Sequence, residues 1–333
     1  MVLRRRHLLL GSAAAIPALH SAEAQQQRDG SGGGGGRKPR IGYISGTTTT
    51  DPNFAAFRKG MQRIGRVEGQ NWELLVRFAD FNYERFPAFV EELLAEKVDL
   101  IVTGGPATVV APLAAKSVPV VFGYSGDPVA IGVVQSLARP GTNITGMSAM
   151  SLELAGKRLS LLVEAAPRIR RVGVLSNPNH GGEQNEWHAT ERSAKEIGIA
   201  LNYYPIPAAA QIRGALESAK RDGCDALLTF PEAVSVYNRT LITEFALREA
   251  LPSVFGWKIY CLAGGLLSYG PDVEAFYGRM SLFVDRILRG TPANDIPVEL
   301  PVELETVVNI GTAQAIGLKL PEVTLARADE VIG

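Results

Sequence analysis

Residues 99–129, DLIVTGGPATVVAPLAAKSVPVVFGYSGDPV, hold the pattern that decides the fold. Two short apolar runs, 100–103 and 118–122, read as buried parallel strands, because turn residues bound each run and one short helix fits between them. Each strand leads into a polar loop that contains glycine, Thr103-Gly104-Gly105 and Ser125-Gly126-Asp127. Ligands of open α/β sheets sit in the crevice beyond the carboxyl ends of the strands, so both loops face one place.

The same alternation extends in both directions. Upstream, 40–45 (RIGYIS) is a strand, Asp51-Pro52 caps a helix whose Phe54, Phe57, Met61 and Ile64 recur at helical spacing, and 72–78 is a strand. Phe86, Phe89, Val90, Leu93 and Leu94 mark the next helix face. A turn-rich interval, 138–145 (ARPGTNIT), separates this series from a second one. There, helices over 152–163, 183–197, 209–220 and 236–250 alternate with strands over 171–176, 200–204, 225–230 and 252–255. A strand over 264–269 and a long helix over 272–289 follow, then a strand over 305–310 and a short helix ending at Gly317. Two βαβ series of similar length imply two similar lobes, each a parallel sheet flanked by helices. The tail is too short to form a third domain and must pack on those lobes, so the chain crosses between them more than once.

Length and composition agree with this: 333 residues, 46% apolar and 20% charged, suffice for two ordinary cores. Residues 1–24 have the anatomy of an export signal, with Arg4-Arg5-Arg6, an apolar run over 8–19 and Ala22-Glu23-Ala24 as a small-x-small cleavage pattern. That run has about half of the ~20 residues a membrane span requires. Arg5-Arg6-His7-Leu8-Leu9 resembles a twin-arginine signal, and a general secretory signal is the alternative. Residues 25–38, QQQRDGSGGGGGRK, have nothing to bury and read as a disordered tether. Loss of the signal removes three arginines and one glutamate, taking the formal charge from 0 to −2. A near-neutral chain without a basic run offers no footprint for nucleic acid. Cys224 and Cys261 can pair in an oxidising compartment, which leaves a single bridge open.

Residues for catalysis are scarce. Beyond the signal the only histidines are His180 and His188, with no His-Glu-x-x-His and no paired cysteines, so no zinc site is expected. Gly-x-Ser-x-Gly, the P-loop and Gly-x-Gly-x-x-Gly are all missing, so neither hydrolase chemistry nor nucleotide binding is expected. No catalytic residue, metal or cofactor is assigned. Six polar loops at strand ends carry the interest instead. Thr47, Thr48 and Ser125 offer hydroxyls, Gly105 and Pro106 open a helix, and Asp127 is the first choice for a ligand ammonium or hydroxyl. Tyr124, Phe230 and Trp257 can stack on an apolar ligand, and Asn177 and Glu232 hold the equivalent places in the second series. Any one of these loops is also an ordinary cap or turn, and Phe230 and Trp257 also suit a core.

These residues resemble a known family. Ile41-Gly42-Tyr43-Ile44-Ser45, YERFP at 83–87, VTGGP at 102–106, Gly126-Asp127-Pro128-Val129, RPGTNITG at 139–146, Asn177-Pro178-Asn179, AGGLLSYG at 263–270 and LARADEVI at 325–332 occur in the order and spacing of extracytoplasmic solute-binding proteins of ABC importers, in the tryptophan/tyrosine-binding-like group. The resemblance implies a type I periplasmic binding fold: two α/β lobes joined by a three-segment hinge. It implies lobes of 39–146 plus about 270–296, and 147–269 plus about 297–333, closing about Met147, Tyr269 and Pro297. It places ligand loops at Thr47-Thr48, Gly105-Pro106-Ala107, Ser125-Gly126-Asp127, Asn177, Phe230-Glu232 and Tyr269. It also implies a periplasmic monomer that catalyses nothing and delivers a small polar or aromatic solute, such as an amino acid, to an ABC permease in the inner membrane. The alternatives are a periplasmic sensor that passes occupancy to a membrane receptor or kinase, and an enzyme on the same scaffold.

Overall fold

The computed structural model describes residues 37–333; the export-signal reading and the tether up to residue 36 lie outside the described residues. The first sheet holds β1 (Arg40–Ser45), β2 (Glu73–Phe78), β3 (Leu100–Gly104), β4 (Val120–Tyr124) and β5 (Ile144–Ser148), all parallel, in the order β2-β1-β3-β4-β5. The central strands are apolar on both faces because helices cover both. Ile44, Ile101 and Phe122 point into a layer with Phe86, Phe89 and Leu93 of the helix Phe86–Ala95. Ile41, Tyr43 and Val102 point into the opposite layer, against the helices Pro52–Arg63 and Val273–Leu288. Those two helices cross where Gly60 meets Gly278, and a Cβ on Gly60 would lie 2.1 Å from the Gly278 carbonyl oxygen.

The second sheet begins with β6 (Arg171–Ser176), β7 (Ala200–Pro205), β8 (Ala226–Thr229), β9 (Ser253–Phe255) and β10 (Leu267–Gly270). Their order, β7-β6-β8-β9-β10, repeats that of the first sheet. Beyond β10 lie β11 (Glu305–Asn309) and β12 (Glu330–Ile332). β11 runs antiparallel to β10, so this sheet is mixed, unlike the expected parallel one. The reason is connectivity: β11 enters from the last crossing between lobes and not through a helical crossover, which parallel pairing requires.

The chain passes between the lobes three times, after Ser148, after Gly270, and between Glu299 and Glu305. Before the last crossing it pairs with β5, since the Ser148 amide donates to the Glu299 carbonyl at 3.0 Å and the Thr145 hydroxyl to the Ile296 carbonyl at 2.7 Å.

Three local readings change. The interval at 138–145 leads directly into β5, whose Gly146 lets the backbone approach Phe122; a Cβ there would sit 2.1 Å from the Phe122 oxygen. The helix expected over 236–250 is two, Ala233–Tyr237 and Arg239–Arg248, because Glu232 caps an earlier start. Cys224 and Cys261 are both buried and free. Among the described residues no helix is long and apolar enough to cross a membrane.

Candidate functional site

The carboxyl ends of both sheets face each other across a cleft, and local chemistry fixes each loop. After β1, Asp51 caps the helix Pro52–Arg63: its Oδ1 accepts from the Asn53 amide at 2.9 Å, and its Oδ2 from the Ser45 hydroxyl at 2.5 Å. Ser45 also lies 2.9 Å from the Thr47 hydroxyl, which holds Thr47 at the cleft floor. After β2, Tyr83 stacks on Phe86, ring centroids 5.3 Å apart. After β3, Gly105 has φ +56°, and a Cβ there would meet nothing within 4 Å, so the turn opens into free space.

Opposite, Glu232 at the end of β8 is buried. Its carboxylate accepts from the Asn177 amide at 3.0 Å and from the backbone amides of Val234 and Ser235 at 2.8 and 2.5 Å. Burial pushes its pKa above the ordinary carboxylate value against the pull of those donors. His180, in the loop after β6, is half-buried and stacked on Tyr124, ring centroids 5.2 Å apart, with Nε2 2.9 Å from the Ser125 hydroxyl. Burial lowers its pKa to about 4, so the ring is neutral near pH 7.

The lobes touch on both sides of the cleft. On one side the Tyr124 hydroxyl donates to the Gly181 carbonyl, beside the Ser125–His180 contact. On the other, the Tyr237 hydroxyl donates to the Thr47 hydroxyl at 3.0 Å, and the Phe81 and Tyr237 rings meet edge-on at 5.3 Å.

On the Tyr124–Gly181 side of the cleft lies a cavity of about 330 Å³. Tyr83, Phe86, Pro106, Val109, Val110 and Tyr124 form its first-lobe wall; Asn177, Asn179, His180, Gly181 and Glu232 form the other. Its lining holds two carboxylates, Glu84 and Glu232, and no lysine or arginine. An apolar wall with a few convergent polar groups is the pattern of a small-molecule site. A second space of about 20 Å³, bounded by Thr47, Asp51, Gly105, Ser125 and Trp257, adjoins it through Pro106, His180 and Glu232. The Ser125–His180 spacing matches that of a nucleophile and its base, but the pair bridges two lobes, and among the described residues no carboxylate is bonded to the imidazole. Nor, among those residues, does any group of three or more His, Cys, Asp and Glu side chains form a metal site.

The model of the family described as ABC transporter substrate binding protein matches residues 44–332. The chain belongs to this family. A tyrosine-binding protein of Clostridioides difficile strain R20291 is 23% identical over 265 residues, which cover 79% of this chain and 76% of the relative. Among solved structures, a conserved domain protein of Vibrio cholerae O1 biovar El Tor N16961 superposes with a TM-score of 0.82 at 22% identity, over 89% of this chain and all of that one. An ABC domain from Streptococcus pneumoniae in complex with L-Trp superposes with a TM-score of 0.80 at 19% identity and the same coverage. The fold is that of type I periplasmic binding proteins.

Within this substrate-binding protein the residues singled out from sequence separate into two groups. Pro106, Tyr124, Asn177 and Glu232 line the larger cavity, and Thr47, Gly105, Ser125 and Trp257 the smaller one. The remaining five line neither. Asp127 caps its own turn, its Oδ1 accepting from the amides of Val129 and Ala130 at 2.8 and 3.2 Å. Thr48 bonds Thr50, and Ala107 and Phe230 lie in the cores of their lobes. Tyr269 packs on the second core and uses its carbonyl to accept from Arg158 Nε at 2.9 Å. Sequence reading missed Tyr83, Phe86, His180 and Tyr237 as cleft residues, although YERFP was already conspicuous and His180 follows Asn177 by three residues.

Proposed function

We propose that this chain is the solute receptor of an ABC uptake transporter, working outside the cytoplasm and delivering its ligand to a membrane permease without catalysis. The ligand is a small organic solute with an apolar or aromatic body and a protonated amine, a description that aromatic amino acids fit. The observation that carries this reading is the 330 Å³ cavity, whose aromatic wall comes from one lobe and whose buried carboxylate comes from the other. Tyr83, Phe86 and Tyr124 pack the body, Glu232 and Asn177 engage the amine, and the absence of cationic side chains from the lining favours a ligand that brings positive charge. The tyrosine-binding and L-Trp-bound relatives support the same class.

Opening occurs at the three crossings, separating a lobe of 39–148 plus about 271–299 from one of 149–270 plus about 300–333. Closure buries the solute between two walls already formed, and the closed outline is what a permease recognises. The protein acts as a monomer. Calorimetric titration with L-tryptophan and L-tyrosine tests the reading: one-to-one binding with a negative heat-capacity change supports it, and no heat from either, with no amine among small molecules extracted from the protein, overturns it.

A further inference from the structure

A third space between the lobes is larger than the candidate solute cavity. It measures about 560 Å³, and it shares Pro52, Asn53, Val236 and Trp257 with the 20 Å³ space but no lining residue with the 330 Å³ one. Both lobes wall it. Ala55, Ala56 and Val273 come from the helices Pro52–Arg63 and Val273–Leu288 of one lobe; Trp257, Ile259 and Leu262 come from the end of β9 and the helix Lys258–Leu262 of the other. Val273 packs on the cores of both lobes. When the lobes part, these walls separate, so the cavity is whole only in the closed arrangement.

The lining selects an occupant. Leu262 is 65% exposed and leaves apolar surface open at the rim. Trp257 is buried, and among the described residues its indole Nε1 has no hydrogen-bond partner, a donor that an occupant of either adjoining space can satisfy. Three carboxylates, Asp272, Glu274 and Glu305, and two ammonium groups, Lys59 and Lys258, line the cavity. The lysines are already paired, Lys59 with Glu274 and Lys258 with Glu330. Asp272 caps its helix with one oxygen, accepting from the Ala275 amide at 3.1 Å, and neither Asp272 nor Glu305 forms an ion pair among the described residues. An anion would face these two carboxylates, whereas an ammonium group would pair with them, beside the aromatic ring type that holds a cation best.

We infer that this cavity is a second binding site, for an amphipathic organic amine whose ammonium group pairs with Asp272 and Glu305 and whose apolar body packs on Ala55, Ile259 and Leu262. Because its walls belong to opposite lobes, a bound amine holds them together; it tightens binding of the solute in the cleft, and the solute tightens binding of the amine by the same factor. This rests on the reading of the cleft as a solute site that opens and closes.

Calorimetric titration of L-phenylalaninol, which carries an ammonium group and a hydroxyl on an aromatic body, into the protein saturated with L-tryptophan tests this. One molecule should bind, about fivefold or more tightly than to the protein without L-tryptophan. Asp272→Asn combined with Glu305→Gln keeps the helix cap and the strand, and should weaken that binding at least about tenfold. Leu262→Arg, at the exposed rim, should weaken it by a similar factor. Both variants should bind L-tryptophan within about twofold of the unsubstituted protein, because neither change touches the 330 Å³ cavity. No binding to the loaded protein, binding no tighter than to the unloaded one, or equal binding by the variants would each overturn the second site. If L-tryptophan does not bind, the solute reading fails by itself, and L-phenylalaninol titrated into the unloaded proteins decides the second cavity by the same loss in the variants.

Discussion

The two lobes share a strand order but bury different chemistry. In the N-terminal lobe the sheet is wholly parallel, and its layers are filled by aliphatic and aromatic side chains; the buried polar groups there are hydroxyls and the helix-capping Asp51. In the C-terminal lobe Arg158, Glu183, Glu186 and Glu232 are all buried near the cleft-facing strand ends. Arg158 donates from Nη1 to Glu186 at 3.1 Å and from Nε to the Tyr269 carbonyl, which ties the helix Ser151–Ala165 to the end of β10 just before a crossing. One lobe thus supplies a rigid aromatic wall, and the other supplies charge.

Removing a partner from the buried pair should give the largest effect. Arg158→Leu leaves Glu186 buried and unpaired, which costs about 3–5 kcal/mol; urea unfolding should show the loss, and Arg158→Leu with Glu186→Leu should recover much of it. The pH dependence sharpens this. Burial raises Glu186 to about 7 in the folded protein, above its unfolded value of about 4.5. The stability it contributes is fully present below about pH 4.5 and is lost as pH rises through about 7, so Arg158→Leu should be more damaging at alkaline than at acidic pH.

The N-terminal lobe should respond to volume. Gly60→Val drives a side chain into the Gly278 carbonyl where two helices cross, and should cost about 1–3 kcal/mol at any pH. Weakest of the three, Asp127→Ala removes a turn cap worth about 1 kcal/mol and should leave solute affinity within about twofold, measured by calorimetry.

The contrast between lobes also shows what the sequence could convey. Apolar runs bounded by turn residues located most strands, and Asp51-Pro52 located a helix start, because those signals are local. β5 escaped because its pairing depends on Gly146 fitting beneath Phe122, a contact between residues distant in sequence. The antiparallel β11 escaped because its direction follows from where the last crossing enters. At the site, loops after β1, β3, β4, β6, β8 and β9 were legible as strand ends. Tyr83 and Phe86 were not, since YERFP reads locally as the start of a helix, and His180 was weighed only as a metal ligand. Asp127 shows the converse: a short acidic side chain in a turn bonds the amides two and three residues on, so a residue type that suggests a ligand contact also serves as a turn cap.

The division of labour between an aromatic wall and a buried carboxylate is tested most directly by titrating L-tryptophan and L-tyrosine calorimetrically into the unsubstituted protein, Tyr83→Ala and Glu232→Gln. The expected result is one-to-one binding that weakens at least tenfold in each variant, with near-normal urea stability for Tyr83→Ala. Affinity unchanged in both variants would contradict it.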